Sequence, residues 1–148
     1  MFLLDTNVIS ELRKPEGRVA PEVVQWVSAQ SSTGLYVSMV TLYELEVGVR
    51  RLARRDDAGG RRLRRWIDDQ FLQAFGDRLL LLDADVARQA AALQVPYPRP
   101  ERDMYIAATA LVHGMTLVTR NVNDFASTGV AQAWNNVGII VQFWVDSG

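Results

Sequence analysis

Short apolar runs that each stop at a polar, helix-starting segment dominate this chain. Phe2-Leu3-Leu4 stops at Asp5-Thr6-Asn7, Leu35-Tyr36-Val37-Ser38 leads into a helix bearing Glu44, and Met115-Thr116-Leu117-Val118-Thr119 leads into Arg120-Asn121-Val122-Asn123-Asp124. Runs this short, bounded by turn formers, read as strands buried on both faces of a parallel sheet. Strands alternating with helices predict right-handed crossovers and an α/β protein of three layers, α/β/α, around a central, mainly parallel sheet. Ligands in such sheets bind beyond the carboxyl ends of the strands. Asp5, Glu44, Asp103 and Asp124 all fall near ends of apolar elements, and they are the candidate site residues.

The pattern predicts a strand at Phe2–Leu4, then a short helix from Thr6 to about Leu12 ended by Pro15 and Gly17. A second helix starts at Pro21 and carries Val23, Val24, Trp26 and Val27. After the strand Leu35–Ser38, a helix runs through Leu42, Leu45, Val49 and Leu52 until Gly59-Gly60 breaks it. Leu63, Trp66, Ile67, Phe71 and Phe75 continue at helical spacing to Gly76. Leu79–Leu82 is a third buried strand, Asp85–Leu93 an Ala-rich helix, and Pro96–Pro100 an extended connector. Asp103 heads a helix to His113, and Ile139–Trp144 reads as an edge strand.

At 148 residues, 49% of them hydrophobic, the chain suffices for one full core, so a single domain over 1–148 is expected. No apolar run approaches the ~18 residues that span a bilayer, and the N-terminus lacks a secretory signal's basic start, so a soluble, cytoplasmic protein is expected. There is no cysteine, which removes thiol chemistry and thiolate metal sites. Any metal must be held by oxygen or by the single His113.

Each acid has an ordinary alternative. Asp5 is placed to cap a helix, worth ~1 kcal/mol, yet a carboxylate buried at a strand end is costly unless paired or metal-bound. Glu44 lacks the i+4 cation that Glu46 has in Arg50, and it adjoins Gly48, a small residue that lets another element approach. Asp103 complements the helix dipole, but Ile106, Ala107 and Ala110 put it on the apolar face. Asp124 sits in a turn-like setting where Asp is common. Gathered at one sheet edge, such charges repel without a cation. Oxygen-only donors select hard ions such as Mg²⁺ or Mn²⁺, which suits phosphate-ester chemistry.

Leu3-Leu4-Asp5-Thr6-Asn7-Val8-Ile9-Ser10-Glu11 resembles the opening of PIN-domain ribonucleases, particularly VapC-type toxins of toxin–antitoxin pairs. Tyr43-Glu44-Leu45-Glu46-Val47-Gly48-Val49, Asp103–Ala110 and Leu117–Phe125 resemble, in order, the family's three later acid-bearing segments. The resemblance implies a PIN-like fold and a Mg²⁺- or Mn²⁺-dependent endoribonuclease that leaves a 3′-hydroxyl and a 5′-phosphate. It also implies a homodimer or a complex with a cognate antitoxin protein, with RNA as substrate. Asp5, Glu44, Asp103 and Asp124 are then the catalytic metal ligands, and Thr6, Asn7, Thr119 and Asn121 support the metal or the attacking water. Thr128-Gly129-Val130 is followed by Ala131–Gly138 without the family's usual proline, so the segment from about 131 is atypical.

The Arg50–Arg65 stretch holds eight arginines and reads as an RNA- or antitoxin-binding surface, or as a solvated hairpin paired with Asp56, Asp57, Asp68 and Asp69. Trp26 and Trp66 fall on apolar stripes and read as core; His113, beside Gly114 at a helix C-terminus, reads as structural. A haloacid dehalogenase-type enzyme needs a second aspartate at position 7, which is Asn, and a late lysine; the only lysine is Lys14. A receiver domain needs adjacent acids after the first strand. The remaining alternative is a catalytically inactive PIN-like module that binds RNA or protein.

Overall fold

The computed structural model describes residues 1–15, 17–125, Thr128 and Ile140–Val141. Five strands form one sheet in the order β3-β2-β1-β4-β5, with β1 (Phe2–Leu4) at its centre. Parallel pairing joins β1 to β2 (Leu35–Ser38) and to β4 (Thr116–Val118), and β2 to β3 (Leu79–Leu80). The fifth strand, β5 (Ile140–Val141), runs antiparallel on β4, where the sequence predicted an edge strand. The rest of the atypical segment from 131 lies outside the described residues.

Side-chain alternation along the central strands creates the three layers. Leu4, Val37 and Val118 point to one face, where they meet Val8 and Ile9 of α1 (Thr6–Leu12), Val23 of α2 (Pro21–Ala29), and Leu45 and Val49 of α3 (Met39–Arg55). Leu63 of α4 (Asp57–Trp66) joins the same core. Leu3 and Leu117 point to the other face, against Ile106, Ala107 and Ala110 of α7 (Glu101–His113). The alanines keep that helix close. Its outer side packs through Ala108 on Val86 and Ala90 of α6 (Ala84–Leu93). Trp26 packs edge-on against Phe2 and Trp66 stacks on Phe71, both against the core as expected.

Two boundaries differ from the sequence reading. Gly59-Gly60 lies inside α4 rather than ending α3; the break is at Asp56, which ends α3 and caps α4 by accepting from Gly59 N at 2.9 Å. The glycine has a packing purpose, because a Cβ on Gly60 would stand 2.7 Å from the Ala53 Cα across the α3–α4 turn. The third strand stops at Leu80, and Leu81 and Leu82 are 63% and 45% exposed. Only Val37 and Ser38 of β2 pair with β3, since β2 turns into α3 directly after Ser38. Beyond α4 the helical spacing continues as a π-helical turn (Ile67–Phe71) and then α5 (Leu72–Phe75). Among the described residues no helix is long and apolar enough to cross a membrane.

Candidate functional site: an acidic cavity at the carboxyl edge of the sheet

The site is built where β1 and β4 end and α1 and α3 begin. The Asp5 backbone N–H donates to Val118 O at 2.9 Å, so Asp5 still belongs to the sheet ladder while its side chain caps α1 by accepting from Thr6 N at 2.8 Å. The capping and site readings therefore hold for the same residue. Thr119, fully buried, donates to Asp5 Oδ2 at 2.7 Å. The Thr119 hydroxyl in turn accepts from Asn7 Nδ2 at 3.2 Å and from the Asn121 N–H at 3.0 Å. On the other side Thr6 Oγ1 donates to Glu44 Oε1 at 3.0 Å and shares a hydrogen bond with Thr41 Oγ1. Four polar residues expected around the acids thus join the ends of β1, β4 and α3 into one network.

Asp5, Glu44 and Asp103 line one cavity of about 460 Å³ together with Thr6, Asn7 and Asn121. Asp124, in the short helix α8 (Val122–Phe125), is exposed and outside that lining, yet its charge is felt by Asp103. Burial pushes the Asp5 carboxyl up to about 6, against the hydrogen bonds from Thr119 and Thr6, and repulsion from Asp103 and Glu44 adds to the rise. Asp103 is raised for the same leading reason, burial, with Asp124 and Glu44 repelling it. Arg102 approaches Glu44 Oε2 at 3.9 Å and opposes the rise in Asp103.

The reason offered for Glu44 through Gly48 does not hold, because a Cβ at Gly48 would meet nothing within 4 Å. Glu44 is set apart instead by Glu46, which turns to Arg64 Nη1 and Nη2 at 2.7 and 2.6 Å as well as to Arg50 at 2.7 Å. Arg61 pairs with Asp57, and Arg62 stands 3.9 Å from Asp56, so part of the arginine stretch is a paired hairpin. His113 lies exposed in the last turn of α7, ahead of left-handed Gly114.

The profile described as PIN domain matches residues 2–130. This chain belongs to the PIN-domain family. The PIN domain here is 36% identical over 137 residues to the VapC ribonuclease Y4jK of Sinorhizobium fredii, covering 88% of this chain and 94% of that one. It superposes on the FitAcB structure from Neisseria gonorrhoeae with a TM-score of 0.76 at 32% identity, covering 86% of this chain and 93% of that one. A toxin–antitoxin complex from Klebsiella pneumoniae is similar with a TM-score of 0.65 at 27% identity, covering 85% and 91%.

The donor chemistry of this PIN domain fits a hard divalent ion: oxygen ligands, and a buried carboxylate that makes no ion pair among the described residues. Among the described residues no three acidic or imidazole side chains are gathered closely enough to hold an ion as they stand. The sequence reading did not single out Glu11, Lys14 and Arg120, which also line the cavity. Lys14 three residues after Glu11 was the signal available for the first pair; Arg120 reaches Glu11 only through the fold.

Proposed function

We propose that this chain is a metal-dependent endoribonuclease that hydrolyses RNA phosphodiester bonds and acts as the toxin of a toxin–antitoxin pair. The observation that carries the reading is the meeting of Asp5, Glu44 and Asp103 in one cavity at the carboxyl edge of a parallel sheet. Its support from relatives is that a protein 36% identical is a VapC ribonuclease and a similar structure is a toxin–antitoxin complex. Asp5, Glu44, Asp103 and Asp124 would hold Mg²⁺ or Mn²⁺. When bound, such an ion polarises the phosphoryl group and eases ionisation of an attacking water.

The chain's own residues do the positioning. Thr119 and the Thr6 N–H fix both oxygens of Asp5, and Thr6 Oγ1 fixes Glu44, so the carboxylates enter the reaction already oriented. Water attacks phosphorus, the bond to the 3′-oxygen breaks, and the departing oxygen takes a proton, leaving a 3′-hydroxyl and a 5′-phosphate. A single PIN-like domain over 1–148, a homodimer, and inhibition by a cognate antitoxin complete the reading. A catalytically inactive binding module is the second reading, favoured by the absence of a gathered ion site among the described residues.

The test is cleavage of a structured RNA pool with Mg²⁺ or Mn²⁺, alongside EDTA and the Asp5→Ala and Asp103→Ala variants. Metal-dependent cutting that both variants lose supports the nuclease. No cutting by folded, metal-supplied protein on any RNA favours the binding module.

A further inference from the structure

Glu11 is 4% exposed, near the far end of α1 from Asp5. Its Oε1 accepts from the Ala20 N–H at 2.7 Å, and its Oε2 is shared by Lys14 Nζ at 2.6 Å and Arg120 Nη1 at 2.8 Å. One buried carboxylate thus holds two cations that approach from different parts of the chain. Both cationic side chains remain open to solvent, at 48% and 40%, and both line the acidic cavity. Arg120 is held at its backbone too, where its N–H donates to Asn7 Oδ1 at 3.2 Å. Two cations on one carboxylate leave a positive charge over, and Arg13 beside them is exposed with no carboxylate partner among the described residues.

This charge lines the same cavity as Asp5, Glu44 and Asp103. Glu11 follows Asp5 by six positions along α1, about 9 Å at the α-helical rise. This arrangement buries the carboxylate and presents the cations, already held, to the cavity. Holding them beforehand lowers the ordering cost of gripping an anion.

We propose that Lys14 and Arg120, positioned by Glu11, form a subsite for the RNA phosphate next to the one that is cleaved. The inference rests on the ribonuclease reading above. Lys14 and Arg120 are binding residues; Glu11 acts through them.

The test uses the full chain, with Lys14→Ala, Arg120→Ala and Glu11→Gln, each checked for folding by circular dichroism. Binding of a fluorescein-labelled single-stranded RNA is followed in EDTA across a KCl series, and cleavage kinetics are followed with metal. Each alanine variant is expected to lower the steepness of the salt dependence by about 0.7, one phosphate contact on a single strand, and to raise KM by about 3–10-fold with kcat within about twofold, as for loss of one charged contact outside the reacting centre. Glu11→Gln should raise KM in the same direction, and Lys14→Arg should restore the parental salt dependence. Folded alanine variants with the parental KM and salt dependence overturn the subsite while leaving the nuclease standing. A parent that neither binds nor cuts RNA overturns both.

Discussion

Thr119 Oγ1 donates to Asp5 Oδ2 at 2.7 Å, across 114 residues of chain. The bond locks the end of β4 to the end of β1 and fixes one oxygen of the carboxylate buried at the end of the central strand. Thr119→Val removes that donor and strands the Asn7 amide and the Asn121 N–H that the hydroxyl accepts. We expect a loss of about 1–3 kcal/mol in stability and about 10–100-fold in cleavage or metal affinity. Urea unfolding and a metal titration of the rate separate the two effects. An unchanged rate would mean that Asp5 needs no orientation from β4.

Asp5→Asn should abolish cleavage and leave the chain folded. The amide keeps the shape and can still accept from Thr6 N, while the buried charge is gone. In EDTA this variant should be more stable than the parent at pH 7.5; a variant that unfolds instead would make Asp5 a structural residue.

The same charge sets a pH dependence. Folding raises the Asp5 carboxyl from 3.8 to about 6, so the folded chain holds this proton more tightly than the unfolded one. The cost is in full force above about pH 6 and is relieved as pH falls toward 3.8, roughly 3 kcal/mol in total. Without metal, the parent should gain stability relative to Asp5→Asn as pH drops from 7.5 to 4.5. Parallel urea midpoints for the two proteins across that range would contradict it.

Glu46 behaves in the opposite sense. The Arg64 fork, and Arg50 after it, hold its carboxyl down to about 2, so its contribution is present above the usual 4.5 and is lost as pH falls through about 2. Because Arg64 and Arg50 are partly solvent-screened, Glu46→Gln should cost only about 1 kcal/mol at pH 7. The loss should shrink in high salt.

Two glycines in the α3–α4 hairpin make a matched pair. A Cβ on Gly60 meets the Ala53 backbone, so Gly60→Ala should destabilise by about 1–3 kcal/mol. Gly48 has open space in mid-helix, so Gly48→Ala should stabilise by about 0.5–1 kcal/mol. Thermal midpoints moving in the same direction for both would refute the packing at Gly60.

Periodicity alone made most of the fold legible. Phe2-Leu3-Leu4 and Thr116-Leu117-Val118 can be buried on both faces only as strands between helix layers, and Ala107, Ala108 and Ala110 can bring α7 close to both the sheet and α6. Errors arose where one residue type serves two purposes. Gly59-Gly60 was read as a break because glycine is a poor helix former, but here its small size admits Ala53. The pair of Glu46 with Arg50 that sets Glu46 apart from Glu44 is present, and Arg64, which also holds Glu46, comes from the next helix and is not legible in the local spacing.

By itself the sequence determined the strands, the helices, and four acids near their ends, because hydrophobic period and turn chemistry are local. Tertiary structure decided which of those acids share a cavity, leaving Asp124 outside the lining while Asp5, Glu44 and Asp103 line it. It also decided that Glu11 holds Arg120, which follows the neighbouring strand β4. Such pairings depend on where separate elements end in space, and on the cost of burying a charge until a distant partner reaches it.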